Sequence, residues 1–176
     1  EQVLEFYTDF ADPNKNLYSW NKSFPMSRDY FSTNNMAFYL GYASELPILI
    51  NKNPNQHFLV APIPQIKNTT KVTMAQVVGL AISRFSQNQN TAFLVAGELS
   101  NGDFSLKLAQ SLGMVPARRD LLSLKPADAY NPVFYSSALF ARSWLDPSKK
   151  DTDILFSNMI NGVLSNTFES DDAISD

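Results

Sequence analysis

Residues 36–64 read MAFYLGYASELPILINKNPNQHFLVAPIP, and this stretch decides the fold. Ala37-Phe38-Tyr39-Leu40 is a short apolar run rich in aromatics, the composition of a strand buried on both faces. It stops at Gly41, and Tyr42-Ala43-Ser44-Glu45 enters a short helix that accepts Pro47 in its first turn and ends between Asn51 and Pro54. His57-Phe58-Leu59-Val60-Ala61 is a second apolar strand, closed by Pro62-Ile63-Pro64. Strand, turn, helix and strand in this order predict an α/β chain. A glycine at the carboxyl end of a strand, beside a helix start, exposes backbone N–H groups where α/β sheets bind their ligands. Gly41, Tyr42, Ala43 and Ser44 are therefore candidate ligand contacts, with Ser44 as a plain helix cap the alternative.

Upstream, Val3, Leu4, Tyr7 and Phe10 mark one face of an opening helix, and Ser27 starts another that carries Tyr30 and Phe31. Downstream, Val72 to Ser83 leans towards strand, with Val77 to Ile82 as its heart. Gly79 inside that run predicts a bulge, a bend or a close backbone approach. Ala92, Phe93, Ala96 and Leu99 predict a helix. Asn101-Gly102-Asp103 opens another, striped by Phe104, Leu108 and Leu112 and stopped by Gly113, so the two form a helical hairpin. A brief helix is expected at Leu121-Leu122, then one capped by Asn131 with Pro132 at its first position. Leu155, Phe156, Met159, Ile160, Val163 and Leu164 form the cleanest apolar stripe. Ser170, Asp171 and Asp172 read as the cap and acidic first turn of a helix that has only begun at Asp176, which predicts a piece of something longer.

The 176 residues suffice to bury a core without disulfide or metal support. A net charge of −3 and the absence of any basic run longer than Arg118-Arg119 or Lys149-Lys150 exclude the footprint of a nucleic-acid binder. No cysteine is present, which removes thiol catalysis, disulfides and sulfur-ligated metal. His57 is the single histidine, so neither a zinc site nor a Ser/His dyad has support. The six glycines are scattered and form no phosphate loop. Asp171-Asp172 reads as electrostatic, and Glu45 and Asp29 as helix-terminus charges.

Aromatics make up 12% of the chain, and the two tryptophans lie beside loops rather than inside apolar stripes. Trp144 and Trp20 are candidates to stack on the apolar face of a sugar ring, against the plainer role of core or lid residue. Arg118, after a proline loop, can fork onto hydroxyls or a carboxylate, or simply pair with Asp120. Asp146, before Pro147, either caps a turn or accepts from a sugar hydroxyl.

A family likeness runs over nearly the whole chain. It is carried by Phe31, Ala37 to Glu45, Asn53-Pro54-Asn55, Phe58 to Pro64, Val78 to Ser83, Leu112 to Arg119, and Ala141-Arg142-Ser143-Trp144-Leu145-Asp146-Pro147. In order and spacing these resemble the C-terminal half of extracellular solute-binding proteins of the maltose-binding type, the recognition subunits of ABC importers. One departure is Ser32-Thr33-Asn34-Asn35, which stands where members carry a turn with glycine. The resemblance implies a partial type II periplasmic-binding-protein-like α/β fold, helix-rich with a few buried strands and without its N-terminal half. Residues 1–79 and 116–176 would belong to the C-terminal lobe and residues 80–115 to the other. It further implies a non-enzymatic, cofactor-free protein acting outside the cytoplasmic membrane, periplasmic or anchored at the cell surface. Such a protein holds a carbohydrate in an interlobe cleft and presents it to a membrane permease. Two rivals stand beside it: a protein-interaction domain prone to self-association or segment swapping, and a sugar-processing enzyme using carboxylates among Glu45, Asp120 and Asp146.

Overall fold

A computed structural model describes residues 1–124 and 126–175. The chain forms two compact units: residues 1–30 with 144–176, and residues 31–143. These boundaries cut the chain at other places than the lobes implied by the resemblance.

In the first unit, α1 (Gln2–Asp9) packs against α7 (Lys149–Leu164), which in turn contacts α8 (Asp172–Ser175). The buried side of α1 is Leu4 and Thr8, whereas Val3 and Tyr7 of the expected face are exposed. Thr8 is admitted because its hydroxyl hydrogen-bonds the carbonyls of Leu4 and Glu5 at 3.0 Å. The stripe on α7 divides along its length. Met159, Ile160, Val163 and Leu164 are half-buried, while Ile154, Leu155 and Phe156 remain exposed. Lys22 Nζ ties the loop after α1 to Asn161 of α7 at 2.6 Å.

The second unit takes in Phe31, the last residue of α2 (Ser27–Phe31), then α3 (Leu46–Lys52), the helical hairpin α4 (Gln89–Leu99) and α5 (Gly102–Ser111), and α6 (Asn131–Ala138). Single 3-10 turns occupy Ala43–Glu45 and Leu121–Ser123. Both ends of α5 follow local chemistry. Asn101 Oδ1 accepts from Phe104 N at 2.9 Å, and Gly113 leaves the helix at φ 62°. At α6 the cap differs from the expected one. Asn131 is already helical, and Asp128 accepts from Tyr130 N, Asn131 N and Asn131 Nδ2, each at 2.8 Å.

The core of this unit comprises Phe31, Leu49, Ala109, Leu121, Leu122 and Tyr135. Four aromatic rings cross it in series. Tyr39 stacks on Phe31 at 5.7 Å, Phe31 meets Phe58 edge-on at 5.7 Å, and Phe58 stacks on Tyr130 at 5.3 Å. Buried Gln56 donates to Phe31 O at 2.7 Å, and Asn53 Nδ2 to Ser32 O at 2.9 Å, fastening the start of the series.

The expected strands are the main correction. Among the described residues the only sheet is the parallel pair β1 (Thr73–Met74) and β2 (Ala141–Arg142), extended by Ala75 N donating to Arg142 O at 2.9 Å. The runs 37–40, 57–61 and 77–82 are not strands. A run is a strand only where a neighbour joins its backbone in a hydrogen-bonded ladder, and among the described residues the only such ladder is that of β1 and β2. Nor are the first two buried on both faces. Tyr39 and Phe58 turn inward while Phe38, Leu40 and Leu59 are exposed, the alternation of a half-covered edge. Gly79 makes no close approach, because a Cβ there would meet nothing within 4 Å.

The apolar cover is thin throughout. Accessible surface totals 13656 Å², whereas two separate folded bodies of these units' sizes would expose about 10,300 Å². Many apolar side chains are open, among them Val77, Val78, Leu80, Phe93 and Leu94, all more than half exposed.

Candidate functional site

The turn that follows Tyr39 is built around a missing side chain. A Cβ on Gly41 would lie 2.5 Å from Tyr39 Cε1 and 2.6 Å from Glu45 Oε2, so a side chain there would push the Tyr39 ring and the Glu45 carboxylate aside. Tyr39 Oη then donates to Glu45 Oε1 at 2.8 Å, and Tyr42 N donates to Glu45 Oε2 at 2.8 Å. Both oxygens of one carboxylate are engaged, one on each side of Gly41. Tyr42 is extended (φ −87°, ψ 155°), and the residue is 41% exposed.

Sequence reasoning placed Gly41, Tyr42, Ala43 and Ser44 together, and they do form one corner. It missed what holds the corner. Ser44 caps no helix: the residue preceding the 3-10 turn is Tyr42, and the residue preceding α3 is Glu45. Ser44 is exposed. The Tyr42 N–H, expected to face a ligand, is taken by Glu45. Tyr42 and Glu45 stand at the N-cap and N3 spacing of a capping box, a signal the sequence did carry, whereas the bond from Tyr39 follows no helix or strand period.

Arg118 sits in the same unit, and its fork is occupied. Nε donates to Asp120 Oδ1 at 3.1 Å and Nη2 to Asp120 Oδ2 at 2.9 Å. This bidentate bond raises the arginine pKa further and holds the Asp120 carboxyl below its ordinary value. Both side chains are open to solvent, so a hydroxylated or anionic ligand competes with Asp120 for the guanidinium.

In the other unit, Trp144 lies in the loop after β2 and is 59% exposed, leaving its indole face available. Asp146 is a capping residue, since Oδ1 accepts from Ser148 N at 3.1 Å and Thr152 Oγ1 at 2.8 Å at the start of α7. Trp20 is half-buried, with Nε1 inaccessible and unpartnered. Its ring is therefore less open than that of Trp144.

Each carboxylate that an enzymatic reading would require already has a structural partner: Glu45 in Tyr39 and Tyr42, Asp120 in Arg118, and Asp146 in Ser148 and Thr152. Among the described residues no group of three His, Asp or Glu is placed to hold a metal ion. A shallow pocket of about 320 Å³ lies in the first unit between Glu5, Thr8, Asp9, Lys15, Val163 and Asn166, and none of the expected site residues lines it. Among the described residues no helix is long and apolar enough to cross a membrane. Compared with protein-family models, curated proteins and solved structures, the chain matches none.

Proposed function

We propose that this chain is part of the extracellular solute-binding component of an ABC importer, and that the intact protein captures a carbohydrate by closing two lobes around it. The reading rests on the ordered likeness of Phe31 to Pro64, Val78 to Ser83, Leu112 to Arg119 and Ala141 to Pro147 to proteins of the maltose-binding type. The observation that carries it is the Gly41–Ser44 corner, a turn held by Glu45 in which Tyr42 and Ser44 are both exposed. A sugar ring has an apolar face to stack and hydroxyls to hydrogen-bond, and this corner offers both kinds of contact. Within the same unit Arg118 is an exposed source of donors, and in the other unit Trp144 is an exposed aromatic residue.

In this reading the chain is a partial type II binding-protein fold, with residues 1–79 and 116–176 in one lobe, 80–115 in the other, and further sheet strands supplied from outside these residues. Its ligand is delivered to a membrane permease on the outer side of the cytoplasmic membrane, and neither cofactor nor catalysis is called for. Calorimetric titration of the full-length protein against a panel of mono- and oligosaccharides is the test. Saturable binding of at least one sugar, absent for free amino acids, supports the reading. Heat from amino acids alone contradicts it.

One observation favours a second reading. The exposed run 77–82, two residues beyond the paired β1, carries no polar side chain, a surface suited to pairing with another polypeptide. A protein-interaction module would use it in that way.

A further inference from the structure

The dipeptide Asn-Gly occurs twice in the chain, at Asn101-Gly102 and Asn161-Gly162, and the two copies stand in opposite surroundings. Before a glycine, the following backbone nitrogen can reach the asparagine side-chain carbon, because no Cβ obstructs the approach and glycine adopts dihedrals other residues do not. We propose that Asn101 is a site of spontaneous deamidation, that Asn161 is protected by the fold, and that the isoaspartate formed at 101 uncaps α5. The chemistry involves no ligand and is independent of what the protein binds.

In the reaction the Gly102 nitrogen bonds to Asn101 Cγ, and the side-chain amide leaves as ammonia with the proton that Gly102 gives up. Water then opens the succinimide ring at either carbonyl, giving aspartate or isoaspartate. Asn101 is exposed, and a Cβ on Gly102 would meet nothing within 4 Å, so the approach is open. Gly102 is the first residue of α5, and its N–H is one of the first-turn amides with no carbonyl to donate to inside the helix. Phe104 N donates to Asn101 Oδ1 at 2.9 Å, the oxygen on which negative charge develops as the nitrogen adds. The other hold on this side chain is one exposed bond, from Nδ2 to Glu98 Oε2 at 3.1 Å.

Asn161-Gly162 has the same sequence without that freedom. Gly162 is buried inside α7, where its N–H belongs to the helical ladder. A Cβ there would run into the Phe168 ring, which covers the glycine. Lys22 Nζ and Ser157 Oγ hold the Asn161 amide at 2.6 and 3.3 Å. The consequence at Asn101 is local. Isoaspartate carries the main chain through the former side-chain carbon, and α5 loses the side-chain acceptor that caps Phe104 N.

Peptide mapping by mass spectrometry, during warm incubation at mildly alkaline pH, follows both asparagines in one sample, with the urea-unfolded chain as reference. Unfolded, the two convert at similar rates because the dipeptide is the same. Folded, Asn101 converts at least about tenfold faster than Asn161, which must first give up a helical hydrogen bond and its packing. Gly102→Ala, which the open space admits, slows conversion at Asn101 by about tenfold in the folded protein. In the isolated isoaspartate form the Phe104 amide exchanges about tenfold faster by NMR than in the fresh protein. Asn161 converting as fast as Asn101 in the folded protein overturns the proposal. So does an Asn101 that stays intact when folded while the unfolded chain loses it. Unchanged Phe104 exchange in the isoaspartate form refutes the uncapping.

Discussion

Gly113 sits against Pro47: a methyl group added to it would lie 2.6 Å from the Pro47 Cγ, at a backbone φ of 62°. The C-terminal exit of α5 is thereby seated on the first turn of α3, which carries the Gly41–Ser44 corner at its start. A side chain at this position meets both a left-handed backbone and a rigid ring. Gly113→Ala is expected to destabilise the protein by about 1–3 kcal/mol, read as a lower urea midpoint with unchanged slope.

Asp128 organises the start of α6 by accepting three hydrogen bonds, from the backbones of Tyr130 and Asn131 and the Asn131 side chain. Those from Asn131 are the main cause holding its carboxyl below the ordinary aspartate value. A depressed folded-state pKa contributes stability that is present above the unfolded value, about 3.9, and is lost as pH falls through the lower folded value. Asp128→Asn is therefore expected to lower stability near neutral pH by about 0.5–1 kcal/mol, a cap-sized effect at an exposed site. The gap between the two proteins should close in acid below roughly pH 4. Paired thermal melts at neutral and acid pH measure it. A gap that widens in acid would mean the sign is wrong.

Val78 is 81% exposed in the middle of the unpaired run 77–82. An apolar edge without charge or proline invites pairing between copies. Val78→Lys is expected to leave the circular-dichroism spectrum unchanged while reducing concentration-dependent light scattering. Equal scattering from both proteins would place self-association elsewhere.

Arg118 and Asp120 form an exposed fork. Exposed pairs of this kind contribute little to folding. Arg118→Ala should leave the thermal midpoint where it is. If Arg118 exchanges Asp120 for a ligand hydroxyl, sugar affinity falls in the same variant. A midpoint that drops together with affinity would show that the arginine acts through the fold instead.

What could be read from the sequence divides along local and non-local lines. The helix ends at Asn101 and Gly113 were legible because a cap needs only its own turn. The run Leu155 to Leu164 was legible as a helix from its period alone, but which part of the stripe is covered depends on α1, far away in sequence. Strands were over-read for the same reason. Apolar runs at 37–40, 57–61 and 77–82 carry strand composition, yet a strand needs a partner, and the pairing that occurs joins Thr73–Met74 to Ala141–Arg142 across most of the second unit. At the candidate site, the capping role of Asp146 and the pairing of Arg118 with Asp120 were visible as alternatives because those partners lie close by in sequence. The Tyr39–Glu45 bond was not, since it depends on a ring folding back over Gly41.

Trp144 gives the most direct test of the carbohydrate reading, because the residue is 59% exposed while the other tryptophan, Trp20, is half-buried. Fluorescence titration of the full-length protein with its best sugar should show a saturable change in tryptophan emission. Trp144→Phe should abolish most of that change and, by keeping a smaller aromatic face, weaken affinity about three- to tenfold. A sugar that binds with unaltered affinity in Trp144→Ala would contradict the stacking role, and the absence of any sugar response in the unsubstituted protein would contradict the transport reading itself.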